Sequence, residues 1–227
     1  MPHIIPSATA TNFAKPQDAA IEIVHVDTAV LVASKPAGLL SVPGRGEDKQ
    51  DCLSRRVQAE FADALTVHRL DMHTSGLLLM ARGPEMQRRL SRQFAERQVD
   101  KRYLAVVAGR LTLASGEIDL PLLADWPNRP RQKVDLVAGK RALTRYQVLG
   151  YDSTTDTSRL ALIPETGRTH QLRVHLLALG HPIVGDALYG GAASTAHARR
   201  LLLHAEELAF AHPASDERLF FRSPAPF

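Results

Sequence analysis

Val67-His68-Arg69-Leu70-Asp71-Met72-His73-Thr74-Ser75-Gly76-Leu77-Leu78-Leu79-Met80-Ala81-Arg82 is the stretch on which the reading of this chain turns. Its second half, Gly76 to Ala81, is a short unbroken apolar run, the pattern of a strand buried on both faces. Its first half is polar and holds one carboxylate, Asp71, between Arg69 and a Thr74-Ser75-Gly76 turn. That turn chemistry predicts a sharp bend presenting Asp71 at the edge of a rigid sheet. An aspartate before a turn is also the mark of an ordinary cap, so the window needs support from the rest of the chain.

The 227 residues, 44% of them apolar, suffice for one domain with a sizeable core. The longest apolar runs, 77–81 and 104–108, are too short to cross a bilayer. The start, Met-Pro-His-Ile-Ile-Pro, lacks the charged and apolar regions of a signal peptide. A single cysteine, Cys52, excludes an intrachain disulfide and a cysteine-rich zinc site. A soluble, cytoplasmic protein is expected. Lys plus Arg number 28 against 24 Asp plus Glu, a formal net charge of +4. The excess is modest, but Arg88, Arg89, Arg92, Arg97, Lys101 and Arg102 cluster, as do Arg129, Arg131 and Lys133. Such clusters fit phosphate contacts as readily as a solvated surface.

Working outward, residues 1–18 are rich in Pro, Ala and Thr without periodicity and read as a flexible tail, leaving 19–227 as the folded domain. Two β-rich runs, 21–26 and 29–34, are joined at Asp27-Thr28, and a Gly/Pro loop from Lys35 to Arg45 follows. Asp51 is placed to cap a helix whose apolar face is Leu53, Val57 and Phe61. After the central stretch, Pro84 suits the first turn of a second helix with a Met86, Leu90, Phe94 stripe. Strands are predicted over 102–107, 116–120, 131–137, 141–150 and 158–163. A last helix over 170–179 has Thr169 as N-cap and Gly180 as stop, and strands over 201–210 and 218–221 end the chain. Many strands with few helices indicate an α+β domain around one large mixed, mostly antiparallel sheet flanked by helices.

The string His68-Arg69-Leu70-Asp71, then Thr74-Ser75-Gly76-Leu77-Leu78-Leu79, resembles the catalytic motif of the RsuA/RluA group of pseudouridine synthases. Lys35-Pro36-Ala37-Gly38, Lys101-Arg102-Tyr103-Leu104-Ala105 and Thr166-Gly167-Arg168-Thr169-His170-Gln171-Leu172-Arg173-Val174-His175 resemble further motifs of the same group. The likeness runs from about residue 21 to the end of the chain. It implies the pseudouridine synthase fold, with Asp71 catalytic and Arg168 pairing with it. It implies also that Tyr103 stacks on the target base and that Arg69 fills the gap left by that base. No room is left for the S4-type domain of many relatives. Asp125-Trp126-Pro127-Asn128-Arg129-Pro130 and Ala178-Leu179-Gly180-His181-Pro182-Ile183 resemble dual-specificity members, which act on hairpins of 23S ribosomal RNA and on the tRNA anticodon stem-loop.

That chemistry cuts the bond from ribose C1′ to uracil N1, rotates the base and joins C1′ to C5. It needs no redox change or energy source, and the sequence carries no P-loop, dinucleotide fingerprint or His-Glu-x-x-His. No cofactor and no metal are expected, and a monomer is. The carboxylate can serve as nucleophile, as partner of a sugar cation or as base at C2′, and the sequence does not choose among these. A desolvated carboxylate needs a cation to stay ionised, and Arg can engage it through two hydrogen bonds. His68, His170 and His175 are read as structural, for no thiolate or carboxylate spacing completes a metal site, and His73 has no assigned role. Two other classes stay open: a non-catalytic RNA-binding or RNA-folding protein that keeps the fold, and an Asp-dependent hydrolase. The hydrolase would need a second carboxylate or a metal, and none is evident.

Overall fold

The computed structural model describes residues 20–191 and 198–227; the expected tail over 1–18 lies outside them. In chain order the elements are β1 (Glu22–Val26), β2 (Val30–Lys35), α1 (Leu53–Gln58), β3 (Ala64–Thr66), β4 (Ser75–Arg82) and α2 (Gly83–Ala95). There follow β5 (Asp100–Ala108), β6 (Ser115–Asp119), β7 (Leu122–Ala124), β8 (Gln132–Val134), β9 (Leu143–Asp152), β10 (Thr157–Pro164), α3 (Gln171–Ala178), β11 (Leu203–Ala211) and β12 (Arg218–Arg222). Ten strands form one sheet in the order β1-β2-β4-β11-β5-β10-β9-β6, with β3 beside β4 and β12 beside β11. β7 and β8 make a separate hairpin. Every pairing between these named strands is antiparallel except β4 with β11. This is the mixed α+β sheet expected.

β4 is buried along nearly its whole length. Its side chains alternate, as a strand's must. Leu77, Leu79 and Ala81 join Leu90 of α2, Val30, Val32 and Phe210 on one face. Leu78 and Met80 join Leu31, Ala33, Leu53 and Val57 on the other. The parallel contact with β11 pairs Ser75 with His204 and Gly76 with Ala205. There Gly76 has φ 111°, and a Cβ on it would lie 2.2 Å from the Ala205 carbonyl oxygen. Only glycine permits this approach, which brings β11 and β5 against the head of β4.

Local details differ from the sequence expectations. The N-cap of α1 is Cys52; Asp51, one residue earlier, accepts two 2.7 Å hydrogen bonds from Arg56, which engage both of its carboxylate oxygens. Phe61 lies beyond α1, packed at the edge of the core. The N-cap of α3 is His170, not Thr169, and it sits in the left-handed region at φ 54°. The strand expected over 131–137 stops at Val134, where Asp135 Oδ1 accepts the Val137 and Ala138 amides and forms a turn. The short strands β3 and β7 carry no alternation long enough to be read. No helix is long and apolar enough to cross a membrane, and no group of His, Cys, Asp and Glu suited to a metal occurs among the described residues.

Candidate active site

Asp71 lies in the loop that enters β4, and the peptides on both sides of it are tied down. Ser41 Oγ donates to the Leu70 carbonyl at 2.7 Å and accepts from the Leu70 amide at 3.0 Å. On the other side Lys35, 1% exposed, donates to the carbonyls of Met72 (3.0 Å), Leu39 (2.7 Å) and Pro36 (2.9 Å). The Gly38 amide donates to the same Met72 carbonyl at 2.8 Å. The Lys-Pro-x-Gly loop, whose sequence is equally that of a plain connection, is therefore the clamp on the Asp71 loop. Burial pulls the Lys35 amine down to about 7 against the opposing pull of the Asp71 charge.

The Asp71 side chain is 24% exposed on the floor of a cleft of about 520 Å³. Two groups face its Oδ2: Arg173 Nη1 at 3.6 Å and His170 Nε2 at 3.9 Å. Both are beyond hydrogen-bonding distance, so the carboxylate is held by charge and not locked. Arg173 itself is fixed. It is 2% exposed, donates through Nε and Nη2 to Asp186 at 2.7 Å each, and lies 5.0 Å from the centre of the Tyr189 ring. Burial pulls its pKa down, but the hydrogen bonds and charge of Asp186 carry it above the usual arginine value.

Tyr103, on β5, lines the same cleft and packs against the core beneath. Burial and the nearby Asp71 charge push its phenol well above the ordinary value, so it is a neutral ring with a polar tip. Arg69 is exposed at the cleft and makes no hydrogen bond or ion pair among the described residues. His68 Nε2 accepts the Leu79 amide at 2.9 Å while its ring stacks 4.5 Å from Phe94. Burial, with the Lys101 charge, pushes His68 down to about 3. His175 is satisfied by Thr144 Oγ1 and the Leu120 carbonyl, as a structural histidine should be.

Arg168 also lines the cleft but is not the partner of Asp71. Its exposed side chain donates from Nε to the Arg141 carbonyl at 3.1 Å, and its amide donates to Gln171 Oε1 at 3.0 Å. Arg168 precedes α3 and its guanidinium is taken up by the Arg141 carbonyl, whereas Arg173 projects from the buried first turn and faces Asp71. Sequence reasoning missed Arg173, Asp186, Tyr189 and the clamp of Lys35. One signal was available for Arg173: it stands between Leu172 and Val174, with His175, Leu176 and Leu177 following. A cation with apolar neighbours on all sides of a helix has to be paired in the interior.

The model of a family described as RNA pseudouridylate synthase matches residues 29–178. The chain is 49% identical over 216 residues to the dual-specificity RNA pseudouridine synthase RluA of Escherichia coli K12, covering 95% of this chain and 98% of that one. To the protein of the same name from Pasteurella multocida it is 48% identical over 216 residues, with the same coverage. Among solved structures, human RNA pseudouridylate synthase domain containing 1 superposes with a TM-score of 0.76 at 31% identity, covering 92% of this chain and 84% of that one. Human RNA pseudouridylate synthase domain containing 4 gives 0.71 at 28% identity, covering 90% and 88%.

Proposed function

The chain belongs to the RNA pseudouridylate synthase family, and we propose from that premise that Asp71 is the residue with which it converts uridine to pseudouridine. The protein is an RNA pseudouridine synthase, an isomerase acting on RNA. The observation that carries the assignment of Asp71 is its setting: a partly exposed carboxylate at the floor of a cleft, faced by a buried, doubly anchored guanidinium at 3.6 Å. Arg173 keeps the carboxylate ionised in a site that a bound base would dry. Tyr103 supplies the flat apolar face against which a uracil lies. Arg69, which has no hydrogen bond or ion pair among the described residues, enters the stack where the uridine has left it, and Arg168 contacts the substrate at the mouth.

The choice of substrates rests on the resemblance of the sequence motifs to dual-specificity members. Dual-specificity RluA proteins match almost end to end, which supports hairpins of 23S ribosomal RNA and the tRNA anticodon stem-loop as targets here. A single domain over 19–227 acting as a cytoplasmic monomer would read such hairpins by shape. The exposed Arg69 and Arg168 beside the cleft favour RNA over a small substrate. Asp71→Asn keeps the side chain's shape and removes its charge. The expected result is an RNA-binding protein of unchanged melting temperature that forms no pseudouridine in a single-turnover assay. Turnover near that of the parent protein would overturn the assignment of Asp71 and move the catalytic role to another residue of the cleft.

A further inference from the structure

On the far side of His170 lies a group that the reaction as described does not use. Tyr189, 6% exposed, follows the Asp186 turn, where Asp186 Oδ1 accepts both the Leu188 and Tyr189 amides. Two guanidinium groups lie over its ring, Arg173 at 5.0 Å and Arg131 of the β7–β8 hairpin region at 5.3 Å. Its hydroxyl meets two partners, the Gln132 backbone amide at 2.7 Å and His170 Nδ1 at 2.8 Å.

These contacts determine where the protons are. A backbone amide can only donate, so Gln132 N–H occupies one lone pair of the Tyr189 oxygen. Among the described residues the phenolic hydrogen then has one acceptor in reach, His170 Nδ1. Assigned from this network, the imidazole proton sits on Nε2, the nitrogen 3.9 Å from Asp71 Oδ2. The backbone agrees, because His170 is held at φ 54°, a conformation disfavoured for a residue with a side chain. Strain of this sort persists where surrounding contacts over-determine it.

We propose that His170 and Tyr189 are a positioning pair for the Asp71 carboxylate: the tyrosine hydroxyl fixes the Nε2–H tautomer of a neutral imidazole, which aims that hydrogen at Asp71. Together with Arg173 it bounds the carboxylate from a second direction. Neither donor is within hydrogen-bonding distance, at 3.9 and 3.6 Å, and a shift of about 1 Å brings either one into it. Seating of the base on Tyr103 closes that gap. The pair thus restricts the carboxylate to the orientation the reaction needs without holding it there beforehand. Burial keeps His170 below its ordinary pKa; the charges facing it are Asp71 and Asp186, which oppose this, and Arg173 and Arg69, which reinforce it.

The inference rests on Asp71 being the catalytic residue. Two substitutions test it beside Asp71→Asn. Tyr189→Phe removes the hydroxyl and leaves the ring beside Arg131 and Arg173. The expected single-turnover rate at saturating hairpin RNA falls about 10- to 100-fold, the cost of a misplaced reacting group. RNA affinity should stay within about 2-fold, since Tyr189 is not at the cleft surface. The acid limb of its pH–rate profile should move up, because Nδ1 has lost the donor that favoured the neutral ring. His170→Gln keeps an N–H donor at the Nε2 position and cannot titrate. It should retain more activity than His170→Ala and show no acid limb from this position. A Tyr189→Phe enzyme with unaltered rate and unaltered acid limb overturns the pair, as does a loss confined to RNA affinity. If Tyr189→Phe does not fold, His170→Gln and His170→Ala decide between themselves: equal rates and unchanged acid limbs overturn the proposal. An inactive Asp71→Asn beside a fully active Tyr189→Phe refutes only the pair, whereas an active Asp71→Asn refutes the reading beneath it.

Discussion

Arg173 and Arg69 approach the same loop from opposite environments. Arg173 is 2% exposed, bidentate to an equally buried Asp186 and 3.6 Å from Asp71. Arg69, two residues before Asp71, is exposed and makes no hydrogen bond or ion pair among the described residues. Identical side chains are thereby given different work. A guanidinium fixed in the interior sets the charge state and orientation of its neighbour, at a desolvation cost that its partners must offset. A free one at the mouth keeps its conformational range and is available to a polyanion. The deep end of the cleft is built for chemistry and the mouth for binding.

Arg173→Met is the most direct way to break that contrast, and it carries the largest expected effect on stability. It leaves Asp186 as an uncompensated charge that is 1% exposed. Loss of one partner of a buried pair costs about 3–5 kcal/mol, readable in urea unfolding. A double variant, Arg173→Met with Asp186→Leu, should recover much of that stability and none of the activity. Recovery of pseudouridine formation along with stability would reduce Arg173 to a structural role.

At the mouth, Arg69→Ala should leave stability within about 0.5 kcal/mol. Its cost belongs to extrusion of the base, which takes a few kcal/mol from a structured RNA and little from an unstacked one. The expected loss on a hairpin is about 10- to 100-fold, shrinking on a short unstructured oligonucleotide in the same single-turnover assay. Equal fractional losses on both RNAs would remove Arg69 from base flipping.

The deep end should also announce itself in acid. His68 accepts the Leu79 amide and is pushed down to about 3 when folded, while an unfolded histidine titrates near 6.5. Above about 6.5 both states are neutral at this site, and its stability contribution is complete. As pH falls below that value the unfolded chain takes up a proton that the folded one refuses. Stability therefore drops, by at most about 1.4 kcal/mol per pH unit from this group, and levels off near the folded pKa. Denaturant midpoints between pH 7 and 4 should decline in the parent protein and less steeply in His68→Gln. Parallel declines would mean that other groups, His204 among them, carry the effect.

How much of this was legible in the sequence depends on range. The strand of β4, the α2 stripe and the Asp71 turn rest on patterns within about a dozen residues, and periodicity and turn chemistry report such features. The partner of Asp71 is different. Both Arg168 and Arg173 lie far downstream, and which one reaches the carboxylate depends on how α3 packs against the Asp71 loop, a tertiary contact. Arg168 precedes the helix under a cap at Thr169 or at His170, and its guanidinium donates to the Arg141 carbonyl, while Arg173 in the first turn faces Asp71. The Tyr189–His170–Asp71 arrangement joins three separated segments by tertiary contacts alone, and no local signal marks Tyr189. Lys35 was visible as part of a motif; its burial under three carbonyls was not.

The smallest expected effect sharpens the comparison most, because Arg168 lies on the border between the two regions. It lines the cleft, yet its guanidinium is exposed and spends one donor on the Arg141 carbonyl. An exposed arginine of this kind acts on RNA as a phosphate contact. Arg168→Met should then weaken hairpin binding by a few-fold near physiological salt, with the bound-step rate unchanged. It should also lower the slope of log affinity against log salt by about 0.7 to 0.9, the value of one neutralised phosphate. An arginine that swings in to pair with Asp71 once RNA is bound would behave otherwise, slowing the bound step at saturating RNA and leaving the salt slope alone. The measurement is a salt titration of affinity run beside single-turnover kinetics, on the parent protein and Arg168→Met. A slowed step with an unchanged slope would place Arg168 in the chemistry beside Arg173, and the line between depth and mouth would then have to be drawn outside it.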